Sequence, residues 1–387
     1  MSKPHIVIDG RFLRRSTGGI GRYTQALIRE LINLASPYRY TVLLRPADQA
    51  DWAMLVEPLK VDTDQWQTHV VDIPHYSLAE QTKLIQVLRG LKPDLVHFTN
   101  FNHPIRWRSP FVVTIHDLTI LKYPVGTRQA SKVFQWAFRQ TLRHAALASR
   151  QVITVSETSK NDLVGLLHLP PAKVAVTYEG VDEIFQPVNL PLRGRGQRLL
   201  AEKLHLRPPY LLFVSQWRPH KGLPILIEAY DLFRKANPRL KPQLVVVGQP
   251  NADYPEILAA IKKSPYGEDI VRPGFISETD LVHLYQTAEA FVFQSLYEGF
   301  GLPPLEAMAA GTPVIASDTS CLPEILGEAA RLVPANDPSA LASALAEVVT
   351  NRLLWRQLRA AGLARVRQFS WRKMGQETLA IYKAALE

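Results

Sequence analysis

A single cysteine, Cys321, stands among the 387 residues, so no intrachain disulfide can form. No apolar run approaches the roughly 20 residues that a helix needs to cross a bilayer. The amino terminus runs from Lys3 through a short apolar stretch to Asp9, without the build of a secretory signal. These absences point to a reducing cytoplasm, with peripheral contact at the inner face of the cell membrane still open. The histidines His97, His103, His116 and His220 show neither H-E-x-x-H spacing nor a cysteine partner, so no metal site is expected from them. Asp62, Thr63 and Asp64 form an acid-any-acid run of the kind that can hold a divalent ion beside a sugar nucleotide. No strand precedes it, and it reads as a solvated loop. The dinucleotide signature G-x-G-x-x-G is missing as well, because Thr24 occupies the last position after Gly19 and Gly21.

What is present is basic. Formal charge is +10 and the isoelectric point lies near 9.6, which suits phosphorylated substrates, anionic lipid or nucleic acid. With no paired zinc ligands and no basic strand studded with aromatics, nucleic acid is the least favoured of the three. Apolar residues at 47% and charged residues at 21% fit a globular protein with substantial cores, and the length implies two domains.

Short apolar runs alternate with helical periodicity: HIVID (His5 to Asp9), YTVLL (Tyr40 to Leu44), LVHF (Leu95 to Phe98), FVVTIHD (Phe111 to Asp117) and QVITVS (Gln151 to Ser156). The pattern restarts at YLLFVS (Tyr210 to Ser215) and continues through QLVVVG, AFVFQS and TPVIAS, ending at Ser317. Strand and helix in alternation predict an α/β protein made of two parallel-sheet, Rossmann-like domains. A linker rich in Pro, Gly and Arg is expected from about Glu183 to Pro209. The last helix carries Trp371, Met374, Leu379, Tyr382 and Leu386 at spacings that make an apolar face. It either closes the second domain or crosses back to the first.

Open α/β sheets bind ligands where strands end and loops lead into helices, so the strand exits are the places to look for chemistry. Gly18 and Gly19 precede a helix after the first strand. Such a pair lets a phosphate approach helix N–H groups, or simply serves a turn with positive φ, and the turn is the more economical reading. His116 and Asp117 follow an apolar strand, where they suit a substrate contact or a helix cap equally. Arg218, His220 and Lys221 lie between a strand and a helix, a placement that favours a diphosphate over a merely solvated loop.

The stretch YEGFGLPPLEAMAAG, Tyr297 to Gly311, holds Glu298 and Glu306 with seven residues between them. Gly299, Gly301, Pro303 and Pro304 keep the segment from being helical before about Pro303, so Glu298 belongs to a loop and Glu306 to the first helical turns. Carboxylates there accept hydrogen bonds from paired hydroxyls, and the N–H groups of Phe300, Gly301 and Leu302 can hold sugar or phosphate oxygens. Helix-dipole complementation alone, about 0.3 to 1 kcal/mol per acid, accounts for the acids but not for the glycines.

Taken together, GGIGRYT, TIHD, R-P-H-K, the block from GFISETDL through TPVIAS, and LPEILGEAA resemble family 4 of the glycosyltransferases, with bacterial mannosyltransferase-like members the most similar. The resemblance runs end to end and is most specific at the Glu-(seven residues)-Glu element. It implies the GT-B architecture, two Rossmann-like domains facing across a cleft. Residues 1–186 would bind the acceptor, residues 187–368 the nucleotide-sugar donor, and the helix of 369–387 would pack on the first domain.

It further implies that Glu298 contacts hydroxyls of the donor sugar and Glu306 the nucleotide ribose. The amides of Phe300, Gly301 and Leu302 would hold donor oxygens, His116 would lie beside the reacting sugar, and Gly19 and Lys221 would meet the diphosphate. Relatives carry an arginine close before this lysine, and here Arg218 stands three residues ahead with His220 between. Many have Asn where Glu179 stands.

The resemblance implies a retaining, metal-independent hexosyltransferase. It would take no cofactor, its donor being a nucleotide diphosphate sugar, first GDP-mannose, and its acceptor a saccharide or lipid-linked saccharide in surface polysaccharide or glycolipid synthesis. Rival readings are a dinucleotide-dependent oxidoreductase and a noncatalytic sugar- or nucleic-acid-binding protein. The helix expected from about Arg128 to Arg150 mixes Phe134, Trp136 and Phe138 with Lys132, Arg139 and Arg143, suited to an anionic membrane surface or to an ordinary helix with a basic outer face.

Overall fold

The computed structural model describes residues 3–14, 17–124, 129–188, 202–274 and 276–387. Two compact units divide the chain: Met1–Gly180 together with Ser370–Glu387, and Val181–Phe369. Residues 189–201, the centre of the expected linker, and the start of the helix expected from Arg128 lie outside the described residues.

The first unit holds seven parallel strands: β1 His5–Asp9, β2 Arg39–Leu44, β3 Trp66–Val70, β4 Leu95–Phe98, β5 Phe111–Thr114, β6 Gln151–Thr154 and β7 Val174–Val176. Their spatial order is β3-β2-β1-β4-β5-β6-β7. The second unit holds β8 Tyr210–Val214, β9 Gln243–Val247, β10 Ile270–Val271, β11 Ala290–Phe293, β12 Val314–Ser317 and β13 Arg331–Val333, in the order β10-β9-β8-β11-β12-β13. Each sheet winds outward from its first strand in one direction and then in the other. The reversal falls between β1 and β4 in one unit and between β8 and β11 in the other, and crevices for ligands open at such points.

The central strands are buried on both faces, which is why they read as continuous apolar runs. Four strands were not anticipated. Of β3 only Trp66 is buried, its other four residues being exposed, and β10 is two residues long. β7 and β13 are three residues each, at the opposite edges. Asp62 and Asp64 stand in the exposed turn before β3, where Asp62 accepts a hydrogen bond from the Asp64 backbone.

The closing helix, Trp371–Leu386, belongs to the first unit and packs on helix Gly19–Asn33 and on β4 and β5. Ser370 caps it by accepting from the Lys373 N–H. Its inner face is Trp371, Met374, Gly375, Thr378, Tyr382 and Ala385, whereas Leu379 and Leu386 are only half-buried. Gly375 permits the close crossing, since a Cβ there would lie 2.8 Å from Cβ of Glu30. Gly180 plays the same part where the outgoing and returning chain pass: its Cβ would strike the Trp371 backbone N at 2.2 Å.

Helix Lys132–Ala148 turns Phe134 and Phe138 inward, where Phe138 meets Phe101 edge to face, and leaves Val133 and Trp136 exposed. Arg139 and Arg143 donate to the Leu166 and Leu167 carbonyls at the end of the next helix, Glu157–Leu167. Those two cations therefore serve the fold locally. No helix among the described residues is long and apolar enough to cross a membrane.

Candidate active site

In the second unit the loops leaving β8 and β11 are stitched together. The His220 carbonyl accepts from the Leu296 N–H at 2.7 Å and from the Ser295 hydroxyl at 3.1 Å. Gly222, at φ +70°, lets the two backbones touch: a Cβ would fall 1.8 Å from the Gln294 carbonyl oxygen. This contact carries the Lys221 side chain to Glu298, with Nζ 2.5 Å from Oε1 and both side chains mostly shielded. Two residues that the sequence places 77 apart thus form one charged pair at the point where the strand order reverses. Arg218 is exposed at the start of the 3₁₀ turn Pro219–Lys221 and makes no ion pair among the described residues.

Glu298 sits in the loop and Glu306 in the helix Leu302–Ala309, as the glycines and prolines require. Gly301 takes φ +96° immediately before that helix, so the N–H groups of its first turn end in a tight left-handed corner. The loop is held by a reciprocal pair: the Glu298 N–H donates to the Ser320 hydroxyl at 3.2 Å, which donates to the Glu298 carbonyl at 2.7 Å. The Cys321 thiol donates to the Phe300 carbonyl, and burial, then the charges of Glu298 and Glu324, push its pKa up, so it is a packed thiol rather than a nucleophile. Ser320 was not singled out from sequence and Cys321 stood there only as the lone cysteine, since nothing about a T-S-C run announces a loop clamp. Glu306 lies deeper than Glu298, 2% exposed, its Oε2 accepting from the Tyr285 hydroxyl at 2.9 Å.

In the first unit, Gly18 takes φ +73° at the helix start, which is the turn reading of the glycine pair. Gly19 differs: among the described residues a Cβ there would meet nothing within 4 Å, so they do not demand a glycine at that point. His116 stands just beyond β5, its Nε2 3.0 Å from the Thr99 carbonyl, which fixes Nε2 as the protonated nitrogen and turns Nδ1 toward Glu179 Oε1 at 3.7 Å. Asp117 accepts from the Thr119 N–H at 2.7 Å and so anchors the following turn.

Behind His116 runs a buried polar chain that sequence reasoning missed. The Tyr23 ring meets His116 edge-on at 4.7 Å, and its hydroxyl bonds Thr114 at 3.0 Å. Thr114 bonds His97 Nε2 at 2.8 Å, and His97 Nδ1 bonds the Tyr382 hydroxyl at 2.6 Å. Burial, assisted by His116, lowers the His97 pKa to about 3, so the ring is neutral and one hydroxyl donates to it while it donates to the other. The only signal in the sequence was Tyr382 on the apolar face of the last helix. Among the described residues no cluster of acids, histidines or cysteine could hold a metal ion.

Comparison with known proteins agrees with this division. The model described as Glycosyltransferase Family 4 matches residues 17–184, and that of Glycosyl transferases group 1 matches residues 199–365. The chain is 28% identical over 315 residues to O-antigen chain mannosyltransferase B of Escherichia coli, covering 80% of each. It is 31% identical over 289 residues to the MMP alpha-(1->4)-mannosyltransferase of Mycolicibacterium hassiacum, which covers 72% of this chain and 66% of that one. Among solved structures, Anabaena Alr3699/HepE, determined in complex with UDP and glucose, aligns over 99% of this chain and 100% of its own with a TM-score of 0.75 at 18% identity. Two units of parallel sheet wound alike, a Glu-(seven residues)-Glu element at the second reversal point, and family matches over both halves assign the chain to family 4 of the glycosyltransferases, with the GT-B fold.

Proposed function

We propose that the protein is a retaining hexosyltransferase that moves mannose from GDP-mannose to a saccharide or lipid-linked saccharide hydroxyl in surface polysaccharide or glycolipid synthesis, without a metal. The observation that carries this reading is the Lys221–Glu298 pair beside the amino end of helix Leu302–Ala309. Cation, carboxylate and N–H donors at two adjoining strand exits match a diphosphate, sugar hydroxyls and anionic oxygens respectively. Mannose as the donor sugar is supported by the names of the relatives. On this reading the second unit binds the donor and the first unit the acceptor, with residues 369–387 as part of the latter.

In the reaction the bond from the anomeric carbon to the diphosphate oxygen breaks with its electron pair going to the phosphate. The acceptor oxygen bonds to the same face of the sugar, and its proton passes to the departing phosphate. Lys221, Arg218 and the helix N–H groups stabilise the negative charge that grows there. Glu298 holds the sugar hydroxyls and Glu306 the ribose, and the family resemblance carries His116 over to the reacting sugar and Gly19 to the diphosphate.

A thermal-shift screen across GDP-, UDP- and ADP-sugars tests the donor, because a ligand bound to the folded chain raises its melting temperature with concentration. GDP-mannose should give the largest shift, and transfer to a mannoside should be retentive by NMR of the product. Lys221→Ala should lower turnover about 100-fold or more, the scale seen when a preorganised charge partner is removed. Indifference to every nucleotide sugar, or full turnover in Lys221→Ala, would overturn the reading.

A further inference from the structure

We propose that Tyr76 is the platform on which a pyranose ring of the acceptor stacks, a reading that rests on the glycosyltransferase function above. Tyr76 follows β3 in the first unit, is 64% exposed, and holds φ +58°, a left-handed conformation that is unfavourable for an aromatic residue. Something must hold it there. The Tyr76 N–H donates to Glu80 Oε2 at 3.2 Å, and Glu80 Oε1 accepts from Arg11 Nη2 at 2.8 Å. Arg11 in turn pairs with Asp9 at 2.7 Å and donates to the Ile73 carbonyl.

All three charged side chains are at most 3% exposed. Burying three charges is costly, and apolar residues of similar volume would hold the fold at least as well. Burial raises the Asp9 carboxyl, but Arg11 outweighs it and keeps the group below its ordinary value, whereas at Glu80 burial outweighs Arg11 and pushes the carboxyl up. Two unfavourable features, a buried charge network and a strained backbone, thus converge on one outward-facing aromatic ring. Strain of this kind is kept where a side chain must be presented in a fixed pose.

The surroundings fit a sugar. The open ring face offers a π surface of the sort that packs against the C–H face of a pyranose. At the hydroxyl end, the Asn100 amide nitrogen lies 3.5 Å from the Tyr76 oxygen and donates to Asn102 Oδ1 at 2.8 Å, a side-chain amide pair whose chemistry suits sugar hydroxyls. Phe101 supports the ring at 5.8 Å between centroids. Tyr76 and the asparagines stand at the exits of β3 and β4, the latter a strand at the reversal point of the first sheet.

The test is saturation-transfer NMR of the full chain with methyl α-glycosides of mannose, glucose and galactose, alongside the thermal shift with GDP-mannose. At least one glycoside should bind. Tyr76→Phe should keep its affinity within about threefold, and Tyr76→Ala should weaken it about tenfold, the loss expected for one aromatic stacking contact. Tyr76→Gly relieves the strained φ and should fold at least as stably, yet lose the glycoside equally. All three variants should retain the nucleotide-sugar shift. Unchanged glycoside affinity in Tyr76→Ala and Tyr76→Gly, or nucleotide-sugar binding with no glycoside binding at all, overturns the platform while leaving the transferase reading in place. Absence of both ligands from the wild type overturns the two together.

Discussion

At the scale of single residues, the chemistry proposed for the second unit turns on a pair that is satisfied before any donor arrives. Lys221 and Glu298 neutralise one another at 2.5 Å, yet the proposed reaction asks the lysine for a diphosphate and the acid for sugar hydroxyls. A complete donor supplies replacements for both ends of the pair. A nucleoside diphosphate without its sugar takes the lysine and leaves the carboxylate shielded and alone, which is costly. Glu298→Gln should therefore bind GDP several-fold more tightly than the wild type, as read by isothermal titration, while losing the extra affinity that mannose confers. Equal GDP affinity in the two proteins would mean that the pair is not part of the nucleotide site. The residues of this pair were legible from their places in loops between strand and helix. Their contact was not, because it is fixed by the Gly222–Gln294 approach, a feature of three-dimensional packing with no local sequence mark.

At the scale of elements, the strands that could be read were those buried on both faces, and those that escaped lie toward the edges. β3, WQTHV, is polar because its side chains meet water, and β7, β10 and β13 are too short to give a period. The same contrast applies to the last helix, whose apolar residues were legible but whose inner face proved to be chosen by closeness. Gly375 and Thr378 are buried there because helix Gly19–Asn33 crosses near enough to exclude larger side chains, and Leu379 is displaced to the flank. Gly222 has both constraints at once, a left-handed φ and a backbone oxygen 1.8 Å from where a Cβ would lie. Gly222→Ala should destabilise the second unit by about 2 kcal/mol or more, through strain and the forced separation of the β8 and β11 loops. Denaturant unfolding measures the first effect, and loss of the GDP-mannose thermal shift at temperatures where the variant is still folded measures the second. An alanine variant with wild-type stability would show that the loops are not locked together in this way.

Across the whole molecule, the titrating groups are distributed unequally, and that gives the chain a stability that depends on pH in a definable window. Three histidines of the first unit are held neutral inside it: burial lowers His75 to about 4, His97 to about 3 and His103 to about 4, against an ordinary value of 6.5. His97 and His103 are committed to hydrogen bonds with Tyr382 and Thr114, and with the Phe101 carbonyl and His144, while His75 stacks on Phe12 and bonds the Arg11 carbonyl. The unfolded chain protonates these rings below about pH 6.5, whereas the folded unit refuses the protons until near pH 4 or below. The stabilising difference is thus complete above pH 6.5, is lost progressively as the pH falls from there toward the folded values, and is gone below them. With three protons taken up at these rings only on unfolding, their share of the slope between pH 6 and 5 should approach about 4 kcal/mol per pH unit, with His5 and His144, also lowered by burial, acting in the same direction. Denaturant unfolding followed from pH 7.5 to 5 should show this decline, and His97→Gln, which cannot take up the proton, should flatten the slope by about 1.4 kcal/mol per pH unit, one proton's worth, even though its stability at neutral pH is lower. A stability that stays level from pH 7 to 5 would mean that these rings are not neutral hydrogen-bonding partners in the folded unit, and would remove the chain from Tyr382 to Tyr23 as the support behind His116.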